Sequence, residues 1–226
     1  MKEKHWILLF ILVLAGDIIG VQADNALLQM VFKPLIIPVL VGYFSSQLQS
    51  VSNGIAKWVL LALIFSLTGD VLLMFQDKNS DFFLFGLSAF LLAHIFYILF
   101  FHRVRIRENI KPNSWFLLIV VLYYAGLIVW LSPYLGEMKL PVRIYGLVIS
   151  FMFMLALHMS SIKNKSAGGW MIWGALLFVI SDSVLAVNKF YQSFEGAGVL
   201  IMLTYGFAQL FIVKGTIRYL ISGDKE

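Results

Sequence analysis

The sequence predicts an all-α polytopic membrane protein of eight transmembrane helices, and three observations predict it. Of its 226 residues 61% are hydrophobic and 13% charged, with a mean hydropathy of +0.89, a balance outside the range of soluble globular domains. Apolar runs of about 16 to 20 residues recur eight times, each long enough to cross a hydrocarbon core of about 30 Å. Between the runs no segment exceeds about a dozen residues, too short for a folded soluble domain. Residues 1–226 therefore read as a single transmembrane domain, and any chemistry belongs within the bundle or at its rim.

The first run is Trp6–Val21. Its flanking Lys2 and Lys4 and the small-residue pattern Val21-Gln22-Ala23 also fit a cleavable signal peptide, whereas Asp17 near the end of the apolar core speaks against cleavage. The second, Leu27–Phe44, contains VFKPLIIP, in which Pro34 and Pro38 are expected to break the backbone ladder beside Lys33 and free carbonyls for a polar cavity. The third, Lys57–Phe75, carries Asp70 within FSLTGDVLLM. Phe82–Phe101, Trp115–Leu131 and Leu140–Met159 follow. Trp170–Asn188 repeats the theme with Asp182, and Gly198–Ile217 completes the set.

An even number of spans puts both termini with the 44–57, 102–114 and 160–169 loops. That side holds twelve basic residues, among them Arg103, Arg105, Arg107, Lys163, Lys165 and Lys225, against Lys78, Lys139, Arg143 and Lys189 opposite. The positive-inside rule then makes both termini cytoplasmic, in a bacterial cytoplasmic (inner) membrane. Trp6, Trp58, Trp115 and Trp170 open the four odd-numbered spans, as interfacial anchors with a wet indole N–H would. A shift of 112 residues lays Trp58 on Trp170, Gly69-Asp70 on Ser181-Asp182, Leu73 on Leu185 and Gly86 on Gly198. Two parallel four-helix repeats would give that pattern.

Several function classes fall away. With no cysteine, disulfides, thiol nucleophiles and thiolate metal sites are excluded. Four scattered histidines make a poor zinc set, so neither metal nor other cofactor is expected. The net charge of +5 is spread over short loops, as membrane topology requires, and nucleic acid is not an expected partner. The lipid bilayer is.

An ionisable side chain in hydrocarbon is costly unless it faces protein, water or a partner, which makes Asp70 and Asp182 site candidates. Each lies about 12 or 13 residues from its span's cytoplasmic start, so both stand roughly 18 to 20 Å up the core. Lys33, entering from the other side, reaches a similar level, as do Tyr145 and Tyr205, while His94 and Gln209 fall nearer the midplane. Gly86, Phe90, His94 and Tyr97 form one stripe; Tyr205 and Gln209 are an i, i+4 pair; Ser181, Asp182 and Asn188 share a broad face. Together they predict one pocket. Asp17 is expected to snorkel to the outer interface and is left out of it.

The ordered set Lys33-Pro34-Leu35 with Pro38, Phe65-Ser66-Leu67 before Gly69-Asp70, Gly86-Leu87-Ser88-Ala89-Phe90 through His94 and Tyr97, Ser181-Asp182-Ser183 with Asn188, and Tyr205 through Gln209 resembles the YhhN-like membrane proteins, which include the mammalian lysoplasmalogenases. The resemblance spans nearly the whole chain. It implies eight transmembrane helices, a lysophospholipid substrate and hydrolysis of the vinyl ether bond of lysoplasmalogens, releasing a fatty aldehyde and a glycerophospho head group. Such a reaction needs a proton delivered to carbon, a negative group beside an oxocarbenium ion, and a base for water, tasks that two carboxylates can divide. Asp70 and Asp182 are the expected catalytic pair. Lys33 would hold one carboxylate ionised or bind the lipid phosphate, and His94, Tyr97, Tyr145, Ser181, Asn188, Tyr205 and Gln209 would orient water or head group. A proton- or cation-coupled transporter uses similar membrane carboxylates, as does an intramembrane aspartyl protease, whose full glycine-x-glycine-aspartate signature is absent.

Overall fold

A computed structural model of the chain describes residues 2–48 and 54–223; Lys225, counted above with the basic side, lies outside the described residues. Eight α-helices follow one another: α1 Glu3–Gln22, α2 Ala26–Gln47, α3 Ala56–Leu73, α4 Asp81–Arg107, α5 Ser114–Leu131, α6 Lys139–Leu157, α7 Lys165–Ala186 and α8 Ala197–Gly223. Each is long and apolar enough to span a membrane, alone or with a short adjoining turn, and the protein is an integral membrane protein.

Three helix starts, those of α2, α5 and α7, are set by asparagine. Asn25 accepts the Leu27 and Leu28 amides at 3.1 Å, Asn113 the Trp115 amide at 3.0 Å and Asn164 the Ala167 amide at 3.0 Å, satisfying donors that the first helical turn leaves free. At two ends Asp24 and Asn109 adopt positive φ of 49° and 54°, the left-handed cap that short polar side chains tolerate. Most expected boundaries hold to within three residues. α4 and α8 run further, because the polar turns FHRVRIR and RYLISG continue each helix beyond its apolar run. α7 starts five residues early, at its asparagine cap.

Three expectations are corrected. α2 continues through Pro34 and Pro38 as one helix, and its cavity-lining residues are Gln29 and Lys33, so the carbonyls released by the prolines do not build the pocket. The Trp6 indole N–H is buried without a partner, because its ring fills the notch at Gly42, where a Cβ would lie 2.5 Å from it. The last turn expected of α7 is instead a π-helix, Val187–Tyr191, so Asn188 leaves α-helical register with Asp182.

Consecutive helices pack as hairpins, α1 on α2, α3 on α4 and α7 on α8, while α6 joins α4 to α7 and α8 touches α1, α2 and α3. Between helices in lipid there is little hydrophobic drive, so close approach at small residues matters. Gly86 shows it: a Cβ there would meet Leu73 at 2.7 Å and the Gly69 carbonyl at 3.3 Å. α5 is peripheral, with only Val120 and Leu131 buried. The polar side chains gather among α2, α3, α4, α6, α7 and α8.

Candidate active site

The expected site residues divide into those that line one cavity and those packed behind it. A cavity of about 240 Å³ is walled by Asp70 of α3, Ser181 and Asp182 of α7, Tyr145 of α6, Tyr205 of α8 and Lys33 of α2, with Asn188 from the π-helical turn. His94, Tyr97 and Gln209 are not on its wall. All three are wholly buried and bonded to wall residues or to each other.

Around Asp182 the donors converge on one oxygen. The Tyr145 hydroxyl donates to Oδ2 at 2.5 Å, and His94 Nε2 lies 3.1 Å from that oxygen and 2.8 Å from the Tyr145 hydroxyl. His94 Nδ1 is buried with no partner, and an N–H placed there would be an unsatisfied buried donor. Nε2 is thus the ring nitrogen that the hydrogen-bond partners face. Tyr145 and Phe178 pack T-shaped against that ring, with centroids 5.3 and 4.7 Å away. Asp182 keeps 14% of its side-chain surface open.

Around Asp70, which is 2% exposed, one hydroxyl serves: Tyr205 donates to Oδ2 at 2.6 Å. Behind it Gln209 donates from Nε2 to Ser66 Oγ at 2.9 Å and accepts from the Tyr97 hydroxyl at 2.5 Å. These bonds fix which way the amide points. Phe90 lies on Gly69, where a Cβ would come within 2.6 Å of the ring, and meets Tyr205 edge-on at 5.8 Å. Ser181 donates to the Ile201 carbonyl at 3.1 Å, tying α7 to α8, and Asn188 Oδ1 accepts the Phe194 amide at 3.2 Å.

Lys33 forms no ion pair within 4 Å among the described residues, although its charge acts electrostatically on Asp17 and Asp70. Asp17 does not snorkel. It is wholly buried, with neither carboxylate oxygen hydrogen-bonded, because α1 packs against both α2 and α8 and carries Asp17 inward. Sequence reasoning also missed Gln29 and Gln76 on the cavity wall. Gln29 stands four residues before Lys33, a helical spacing that could have found it; Gln76 lies in the turn after α3, where no periodicity points. Among the described residues no three of His, Cys, Asp and Glu gather as a metal-ligand set.

The chain is 32% identical over 167 residues to lysoplasmalogenase TMEM86B of Mus musculus, covering 74% of this chain and 66% of that protein. It is 33% identical over 173 residues to the Homo sapiens counterpart, covering 75% and 67%. The lysoplasmalogenase of Mycobacterium bovis is 32% identical over 164 residues, covering 70% and 60%. The matches thus span about two thirds of the length of these curated relatives. No solved structure matches the chain. The family model described as YhhN matches residues 28–216, a stretch that contains every residue of the cavity wall except Val21, and the chain belongs to the YhhN family.

Proposed function

We propose that the protein hydrolyses the vinyl ether bond of a lysoplasmalogen, with Asp70 and Asp182 as the catalytic carboxyl groups. The observation that carries this reading is that two carboxyl groups from different helices open into one cavity, each held by a buried phenol. The names of the relatives supply the substrate class.

In the reaction, one carboxyl group gives its proton to the chain-side alkenyl carbon, the C=C electron pair forming the new C–H bond. The resulting oxocarbenium ion lies against the other carboxylate, which then takes a proton from the water that adds to the carbon beside oxygen. As the hemiacetal collapses, its hydroxyl proton passes to the first carboxylate, the second carboxyl group protonates the glycerol oxygen as its C–O bond breaks, and a fatty aldehyde and a glycerophosphoethanolamine or glycerophosphocholine are released with both groups back in their starting states. Division of such steps between two carboxyl groups in unlike surroundings is the logic of glycoside hydrolysis. Lys33, with no ion pair among the described residues, supplies a cation for the phosphate, and Gln29, Gln76 and Asn188 supply polar contacts beside it. Tyr145 and Tyr205 aim the carboxyl groups. His94, Tyr97 and Gln209 act from behind the wall. The lysine and arginine distribution supports cytoplasmic termini in a bacterial cytoplasmic membrane, with the site in the opposite half of the bilayer.

The deciding experiment is aldehyde release from a synthetic lysoplasmenylethanolamine by detergent-purified protein, with Asp70→Asn and Asp182→Asn alongside. Release by the wild type and by neither variant is expected. No release by folded wild-type protein would overturn the reading.

A further inference from the structure

We propose that an apolar crevice opening from the Asp182 side of the cavity is the binding site for the substrate's hydrocarbon chain. This inference rests on the proposed activity and adds how the lipid lies in the site. The cavity, at about 240 Å³, is smaller than the roughly 300–1,000 Å³ of ordinary ligand clefts. It has room for a polar head group; a long chain must leave it.

A second hollow, with about 30 Å³ free, shares Phe83, Leu87, Tyr145, Asp182 and Leu185 with the cavity and is completed by Val142, Ala186 and Phe190. Apart from Asp182 and the Tyr145 hydroxyl bonded to it, its walls are hydrocarbon. It runs between α4, the start of α6 and the last turn of α7. On its wall the Phe83 and Phe190 rings meet T-shaped at 5.9 Å, and Phe190 belongs to the π-helical turn Val187–Tyr191. Such turns are frequent at functional sites and hold the backbone less regularly than an α-helix, which suits a wall that must part for a chain. The lysine of the cavity wall lies elsewhere: Lys33, with Gln29, comes from α2, which packs on α1, α3 and α8, whereas α6 packs on α4, α5 and α7.

The lipid therefore lies across the bundle, phosphate toward α2 and chain toward α6. That orientation sets Asp182 against the chain-side alkenyl carbon, the carbon that takes the proton, and Asp70 with Lys33 against the glycerol side.

The test uses the full chain in detergent and a saturated 1-O-alkyl lysophospholipid bearing a diazirine on the chain, which binds without being hydrolysed. Irradiation should label peptides carrying Val142, Ala186 or Phe190, and unlabelled lipid should compete. Label confined to peptides lining the other side, around Val21, Gln29 or Met202, or label that no competitor reduces, would overturn the proposal. Ala186→Phe gives a second readout: the ratio of kcat/KM for a long-chain over a short-chain lysoplasmalogen should fall about tenfold. An unchanged ratio would overturn the proposal. Labelling in the crevice without any aldehyde release would uphold the chain site and remove the hydrolase reading, so the two fail separately.

Discussion

The surroundings of Asp70 and of Asp182 answer one need with different groups. The 112-residue spacing that relates the two carboxyl groups also relates Lys33 to Tyr145, and each carboxyl group takes a hydrogen bond from a helix of the opposite half, α8 for Asp70 and α4 for Asp182. Where Asp182 has a phenol donating at 2.5 Å, Asp70 has a lysine on a flexible stem that forms no ion pair among the described residues. Two donors on a single oxygen make the Asp182 side a fixed unit. The Asp70 side keeps one donor and a cation free to turn toward a ligand. In the proposed reaction the Asp182 side is the rigid proton-handling group and the Asp70 side the adjustable anion-binding group.

The sharpest way to break the comparison is to remove the carboxyl groups. Asp70→Asn and Asp182→Asn should each lower kcat by about 10³-fold, read as aldehyde release by protein whose thermal unfolding matches wild type. A variant that keeps the wild-type rate takes its half out of the chemistry. Next come the phenols. Tyr205→Phe leaves Asp70 without a donor and should cost about 10- to 100-fold in kcat, whereas Tyr145→Phe leaves His94 on Asp182 and should cost only several-fold. Equal losses would mean that the two carboxyl groups are held alike.

Lys33→Met should raise KM about tenfold with kcat nearly unchanged, the signature of lost binding shared by ground and transition states; steady-state kinetics on a lysoplasmenylcholine series reads it. Smallest in activity is Gln209→Leu, which strands the Tyr97 hydroxyl and Ser66 Oγ in a dry interior. It should lower stability by about 1–3 kcal/mol, seen as earlier thermal unfolding in detergent, while kcat stays within a few-fold.

Hydropathy made the eight spans legible, because length and composition alone decide what crosses a bilayer, and counting residues along them grouped Asp70, Asp182, Lys33, Tyr145 and Tyr205, which line one cavity. Helix rotation was less accessible. In a nearly all-apolar helix such as α1 the residues are alike on every face, so nothing in its pattern announces that Asp17 turns inward. The division of the set into wall and backing depends on partners distant in sequence, such as Tyr97 on Gln209 and His94 on Tyr145, which no local spacing encodes. The π-helical turn at 187–191 was also hidden, since VNKFY carries no Gly or Pro to mark a change in the helical hydrogen-bonding pattern.

Gly69 carries its consequence furthest from its own position. Because it has no side chain, the Phe90 ring can lie against the α3 backbone, and Phe90 in turn meets Tyr205 edge-on, as Phe178 does from another side. The phenol that reaches the next residue, Asp70, is thus steadied by way of two other helices, in a closed loop that starts and ends on adjacent residues of one helix. An alanine at 69 would push the ring toward the phenol and redirect a hydroxyl on α8. The spacing of this loop works as a gauge: the width of one absent methyl group sets the aim of the Tyr205 hydroxyl.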